Sequence, residues 1–189
     1  MRRGAKLGVE VVHALVWLPY LAPRNWWMRR KVGDALTDQL VVVPTLGGGP
    51  GYVIGTYAPP MWRRKDRGQV QHDACTYLDR EGSFLKVTGY GTVGRYGDAD
   101  EVMGKVIEEF REYDRWSYQP IARERIAGED ARRARFDAGA LRVTEWRFDH
   151  QGYAFAAGAA VRRTVDEDEV LERARRSLAS WQWTEPDPG

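Results

Sequence analysis

Asp149 and His150 are the adjacent residues best suited to proton transfer, with Glu145 nearby on the same stretch. A small enzyme, or a protein that binds a small ligand, would use the sheet face near Glu145, Asp149 and His150. Adjacent strand residues point to opposite faces, so Asp149 and His150 pair only if the turn beside them reorients one of them. His72-Asp73 has the same defect. No serine or cysteine stands in a nucleophile-elbow pattern. The histidines, His13, His72 and His150, are far apart, and Cys75 is the single cysteine. The sequence therefore predicts no metal centre, no disulfide framework, no cofactor and no catalytic constellation.

Gly89-Tyr90-Gly91-Thr92-Val93-Gly94 matches G-x-G-x-x-G directly after a strand. In a dinucleotide site the third glycine lies in the helix that receives the pyrophosphate. Here the next helix is expected only from Asp98, and short strands follow it instead of further strand–helix units. Dinucleotide binding is therefore not the reading. Gly47-Gly48-Gly49-Pro50-Gly51 lacks the Lys-Ser/Thr of a phosphate loop and reads as a turn.

The elements that must position these residues follow from periodicity. Asp98, with Glu101 three residues on, caps a helix over 98–113, whose Val102, Met103, Val106, Ile107, Phe110 and Tyr113 form one stripe. Thr164 and Glu167 form a second capping box before a helix over 166–183, with Val170, Leu171, Ala174, Leu178 and Trp181 on one face. Strands are expected at 39–43, 52–57, 70–78, 83–88, 118–126, 131–136, 141–148 and 153–161. Ala154, Ala156, Ala157, Gly158, Ala159 and Ala160 would let a helix approach the last strand closely.

Charge divides unevenly along the 189 residues. Residues 1–67 carry 11 Lys/Arg against four Asp/Glu, and the remainder carries 18 against 23, within a formal net charge of +2. The basic start, Arg2, Arg3 and Lys6, leads into an apolar run, but Glu10 and His13 interrupt it and Pro23-Arg24 follows where a signal-peptidase site needs small residues. The run is also too broken to span a bilayer. An amphipathic helix with Val9, Val12, Val16 and Leu15 on one face is the remaining reading, ended by Pro19. Asn25-Trp26-Trp27-Met28-Arg29-Arg30-Lys31 then sets two tryptophans against three cations, a combination that suits a partner or an anionic membrane surface. Trp62, beside Arg63-Arg64-Lys65, adds a second such cluster, and the acidic remainder argues against nucleic acid.

The stretch Phe84–Thr88 before the helix 98–113, then Ile126–Ala131, the hairpin Thr144–Ala157 with Gly152-Tyr153-Ala154 at its turn, and Ala174–Trp183 together resemble the PsbP-like α/β/α sandwich. The resemblance covers about residues 68–183. It implies an α+β fold, an antiparallel sheet flanked by two main helices. Bacterial relatives of that superfamily include small lipoproteins and chaperones of secreted effectors, so the resemblance also implies binding in preference to catalysis.

Residues 1–67 are then expected as a basic extension of amphipathic helix plus hairpin, 68–183 as the PsbP-like domain, and 184–189 as a disordered tail. The function expected is a non-catalytic adaptor or chaperone for a protein partner, cytoplasmic and in contact with the membrane face, with export as the alternative location. Its contact residues are Val12, Val16, Trp17, Trp26, Trp27, Arg29, Arg30, Lys31 and Trp62.

Overall fold

The computed structural model describes residues 26–42, 49–62, 72–111, 118–138 and 140–184. The chain runs α1 (Trp26–Arg29), β1 (Asp38–Val42), β2 (Gly51–Thr56), β3 (Met61–Trp62), β4 (His72–Tyr77) and β5 (Phe84–Thr92). Then follow α2 (Val93–Tyr96), α3 (Ala99–Arg111), β6 (Tyr118–Ile126), β7 (Glu129–Ala138), β8 (Leu141–His150), β9 (Tyr153–Arg162), α4 (Glu167–Ala179) and β10 (Gln182–Thr184). Among the described residues every strand pairing is antiparallel. One sheet has the order β3-β4-β5-β9-β8-β7-β6 and the other β1-β2-β10.

Strand alternation decides which helix covers which face of the large sheet. Ala134 and Phe136 of β7 pack against Met103, Val106 and Ile107 of α3. Ala131, of opposite parity on the same strand, joins Trp146, Phe148, Ala157 and Ala159 beneath Val170, Leu171, Ala174 and Leu178 of α4. The helices thus lie on opposite faces, and the architecture is the expected α+β sandwich. The small side chains of β9 do admit a helix, and Ala174 of α4 is fully buried.

Polar ties fix each helix on its face. Asp98 Oδ1 accepts from Glu101 N–H at 2.8 Å, which caps α3 as its sequence implies. The start of α4 departs from expectation: the cap is Asp166, accepting from Asp168 and Glu169 N–H, and not Thr164. Residues 163–165 turn the chain out of β9, with Val165 N–H bonded to Arg162 O. Glu167 is drawn instead to Arg135 at 2.6 Å and Arg142 at 2.8 Å, binding α4 to β7 and β8. On the same face Glu124 accepts from Trp146 Nε1 and Arg175 Nε.

The end of α4 also differs. The helix stops at Ala179, and Trp183 belongs to β10, paired with Tyr52 of β2. Ser180 causes the stop. Its Oγ accepts from Gly55 N–H at 2.7 Å and donates to Ser177 O, so the chain is captured by β2 before another helical turn forms.

The expected hairpin of β1 and β2 forms, with Asp38 opposite Thr56 and Val42 opposite Tyr52. It is no appendage. Met28, Val32, Leu40, Tyr52, Ile54, Tyr57 and Ala58 share one continuous core with Phe84, Val87, Trp146, Leu178 and Trp181. A division at residue 67 therefore cuts through packed side chains, because β2 needs β10 as a neighbour and both need α4. Residues 1–25, 63–71 and 185–189 lie outside the described residues, and with them the expected leader helix and tail.

Candidate functional site

The turn Gln151-Gly152 joins β8 to β9, both residues at positive φ, and keeps His150 opposite Tyr153. It does not reorient either neighbour, so Asp149 and His150 stay on opposite faces. His150 lies flat on Trp183, with centroids 3.8 Å apart and planes within 1°, and its Nδ1 is 2.8 Å from Glu129 Oε1. Trp183 Nε1 in turn donates to Ala127 O. His150 thus packs on Trp183, which itself meets the Tyr52, Phe148, Phe155 and Trp181 rings, away from Asp149.

Glu145 and Asp149 share the α3 side of β8 with Arg147 between them. Glu145 Oε1 accepts from Arg147 Nε at 2.5 Å, and the Arg147 guanidinium lies 5.0 Å from the centroid of the Tyr90 ring. Asp149 Oδ2 accepts from Ala99 N–H at 3.0 Å, while its enclosed Oδ1 has no partner. Burial pushes the Asp149 carboxyl above its ordinary range. The Ala99 N–H opposes that shift, and the Asp98 charge adds to it.

Arg147 and Asp149, but not Glu145, line a cavity of about 250 Å³ between β8, β9, the end of β5 and the start of α3. Tyr90, Arg95, Tyr96, Gly97, Asp98, Ala99, Val102, Arg147, Asp149, Ala154 and Phe155 form its wall. The glycine fingerprint shapes it without binding a dinucleotide. Gly91 and Gly97 stand at φ +114° and +91°, and a Cβ would come 3.0 Å from the Tyr96 ring at the first and 2.9 Å from Glu101 Oε2 at the second. The N–H of Ala99, which a phosphate would seek at the start of α3, is already taken by Asp149.

At the first turn of α3, Arg132 Nε and Nη2 donate to the two oxygens of Asp100, and Nη1 donates to Asp130 at 3.0 Å. This hydrogen bonding holds the Asp100 carboxyl below its ordinary value and raises the already high Arg132. The bidentate pair fixes the helix start that closes one side of the cavity. Among the described residues no group of three His, Cys, Asp or Glu side chains is placed to hold a metal ion.

Of the expected contact residues, Trp27 is 52% exposed, with the Lys31 ammonium 4.7 Å from its ring centroid, and Arg30 is exposed too. Arg29 turns inward. Its guanidinium lies 5.5 Å from the Tyr77 ring centroid and packs against Gly82. Trp26 and Trp62 lie in α1 and β3, with side chains outside the described set, as are Val12, Val16 and Trp17 altogether.

Sequence reasoning singled out Glu145 and Asp149 but missed Arg147, Arg95, Tyr90 and Tyr96 as their neighbours. The glycine fingerprint was the available signal: it marks a tight backbone path beside Tyr90 and Tyr96.

No protein-family model matches the sequence, and no curated protein matches it. Among solved structures, cyanobacterial PsbP (CyanoP) from Synechocystis sp. PCC 6803 aligns with a TM-score of 0.50 at 13% identity, covering 80% of this chain and 96% of that one. LpqN of Mycobacterium tuberculosis, described as involved in cell envelope biogenesis, aligns with a TM-score of 0.37 at 12% identity, covering 81% of this chain and 80% of that one. The fold is PsbP-like. Among the described residues no helix is long and apolar enough to cross a membrane.

Proposed function

We propose that this protein is a non-catalytic binding module, an adaptor or chaperone that docks onto a protein partner through the segment around Trp27. The observation that carries the reading is the split character of that segment. Met28 and Val32 are buried at 7% and 3% exposure, whereas Trp27, next to Met28 in α1, is half exposed with the Lys31 ammonium over its ring. A tryptophan held outward by a rigidly anchored backbone, beside exposed Arg30 and Lys31, is a preformed contact of the type that dominates protein interfaces. Val12, Val16, Trp17, Trp26 and Trp62 extend the same docking surface in this reading, and Arg29 supports it from beneath through Tyr77.

The acid–base candidates support binding over catalysis, since Asp149 and His150 face opposite ways. The test is affinity capture with the wild-type chain and with Trp27→Ala/Lys31→Glu, alongside sedimentation with vesicles of neutral and anionic lipid. A protein captured by the wild type and lost by the variant, with circular dichroism unchanged, supports the reading. Sedimentation with anionic vesicles and no captured protein would replace the partner with a membrane surface. Equal capture by both chains would remove Trp27 from any docking role.

A further inference from the structure

We propose that the cavity at the start of α3 binds a neutral, polyhydroxylated small molecule, of the class of a monosaccharide ring. It lies at the end of β5 opposite the Trp27 segment, about 20 Å from Phe84 along the strand, so it neither rests on the docking reading nor falls with it.

The wall selects the ligand. Arg95 and Arg147 face it with Asp98 and Asp149, a balance of charge that favours neither an anion nor a cation. Arginine only donates and an aspartate only accepts, whereas a hydroxyl does both. Arg147 and Asp149 stand two residues apart on one face of β8, about 7 Å, so hydroxyls around one ring can engage both. Asp149, in the cavity wall, uses one oxygen on Ala99 and leaves its enclosed Oδ1 without a donor. Tyr90 and Tyr96 add ring surface for the C–H edge of such a ligand, over an apolar base that includes Val102. At about 250 Å³ the cavity lies below the usual range of drug-sized sites, a size that suits one ring.

The test is a titration of the isotope-labelled full chain with glucose, mannose and galactose, with glucuronate and glucosamine as charged comparisons, followed by amide resonances. Saturable shifts confined to residues near 90–99 and 147–155 with at least one neutral sugar are expected. Asp149→Asn keeps an acceptor for Ala99 N–H but loses the charge-assisted bond, and should weaken binding about tenfold. Tyr90→Leu provides a second variant and should weaken it as well. Absence of saturable shifts with all three neutral sugars, tighter binding of either charged sugar, or unchanged affinity in both variants would overturn the proposal.

Discussion

Asp149 and Asp100 flank the start of α3 and are perturbed in opposite senses. Asp100 is held low, first by its hydrogen bonds from Arg132, so it contributes stability above the ordinary carboxylate value and loses it as pH falls through its folded value. Asp149 is pushed up, first by burial, so the folded state binds its proton more tightly than the unfolded chain. Its contribution therefore turns unfavourable as pH rises from the ordinary value through the folded one. Asp149→Asn is expected to stabilise the protein more at about pH 7 than at about pH 3, because the amide oxygen still accepts from Ala99 and carries no buried charge. Asp100→Asn should destabilise near pH 7, and that loss should fade by about pH 2. Urea denaturation across this range checks both. A larger benefit for Asp149→Asn in acid would mean that the helix start, and not burial, sets the Asp149 carboxyl.

At the scale of elements, α3 was legible because Asp98, Glu101 and the apolar stripe agree on one answer. The hairpin of β8 and β9 was legible through alternation and Gly152 at its turn. β10 was not. Gln182-Trp183-Thr184 continues an amphipathic pattern, and only Ser180 and the free edge of β2, 125 residues away in sequence, turn it into a strand. Thr164 misled for the same reason: local spacing cannot reveal that Glu167 is committed to Arg135 and Arg142. The cavity needed the register of β8 against β9 and the path through Gly91 and Gly97, which no local pattern contains. Ser180→Ala should cost about 1–3 kcal/mol by leaving Gly55 N–H without its acceptor. Leu178→Ala, at a fully buried position of α4, should cost about 2–4 kcal/mol. Chemical denaturation measures each. A change under about 0.5 kcal/mol at Leu178 would be inconsistent with its packing against the sheet.

For the whole molecule, the basic first third and the acidic remainder meet in a shared interior. Leu40, Tyr52, Ile54 and Tyr57 are each at most 2% exposed, and they come from the segment that charge alone would set apart. Tyr52 stacks on Trp181 at 4.3 Å, and Arg173 of α4 reaches back to Gly33 O and over the Tyr57 ring. Each large side chain of this kind contributes about 1.5–3 kcal/mol on burial, which a fragment without the β1–β2 hairpin forgoes at all four positions. Fragment 68–183 should therefore lack a cooperative thermal transition and the near-ultraviolet dichroism of packed tryptophan, whereas 26–184 should retain both. The comparison separates two roles for the first third of the chain. If 68–183 melted cooperatively within a few degrees of 26–184, the β1–β2 hairpin would be an attachment whose core contacts are dispensable, and the tie between β2, β10 and α4 would not be what anchors Trp27 in place.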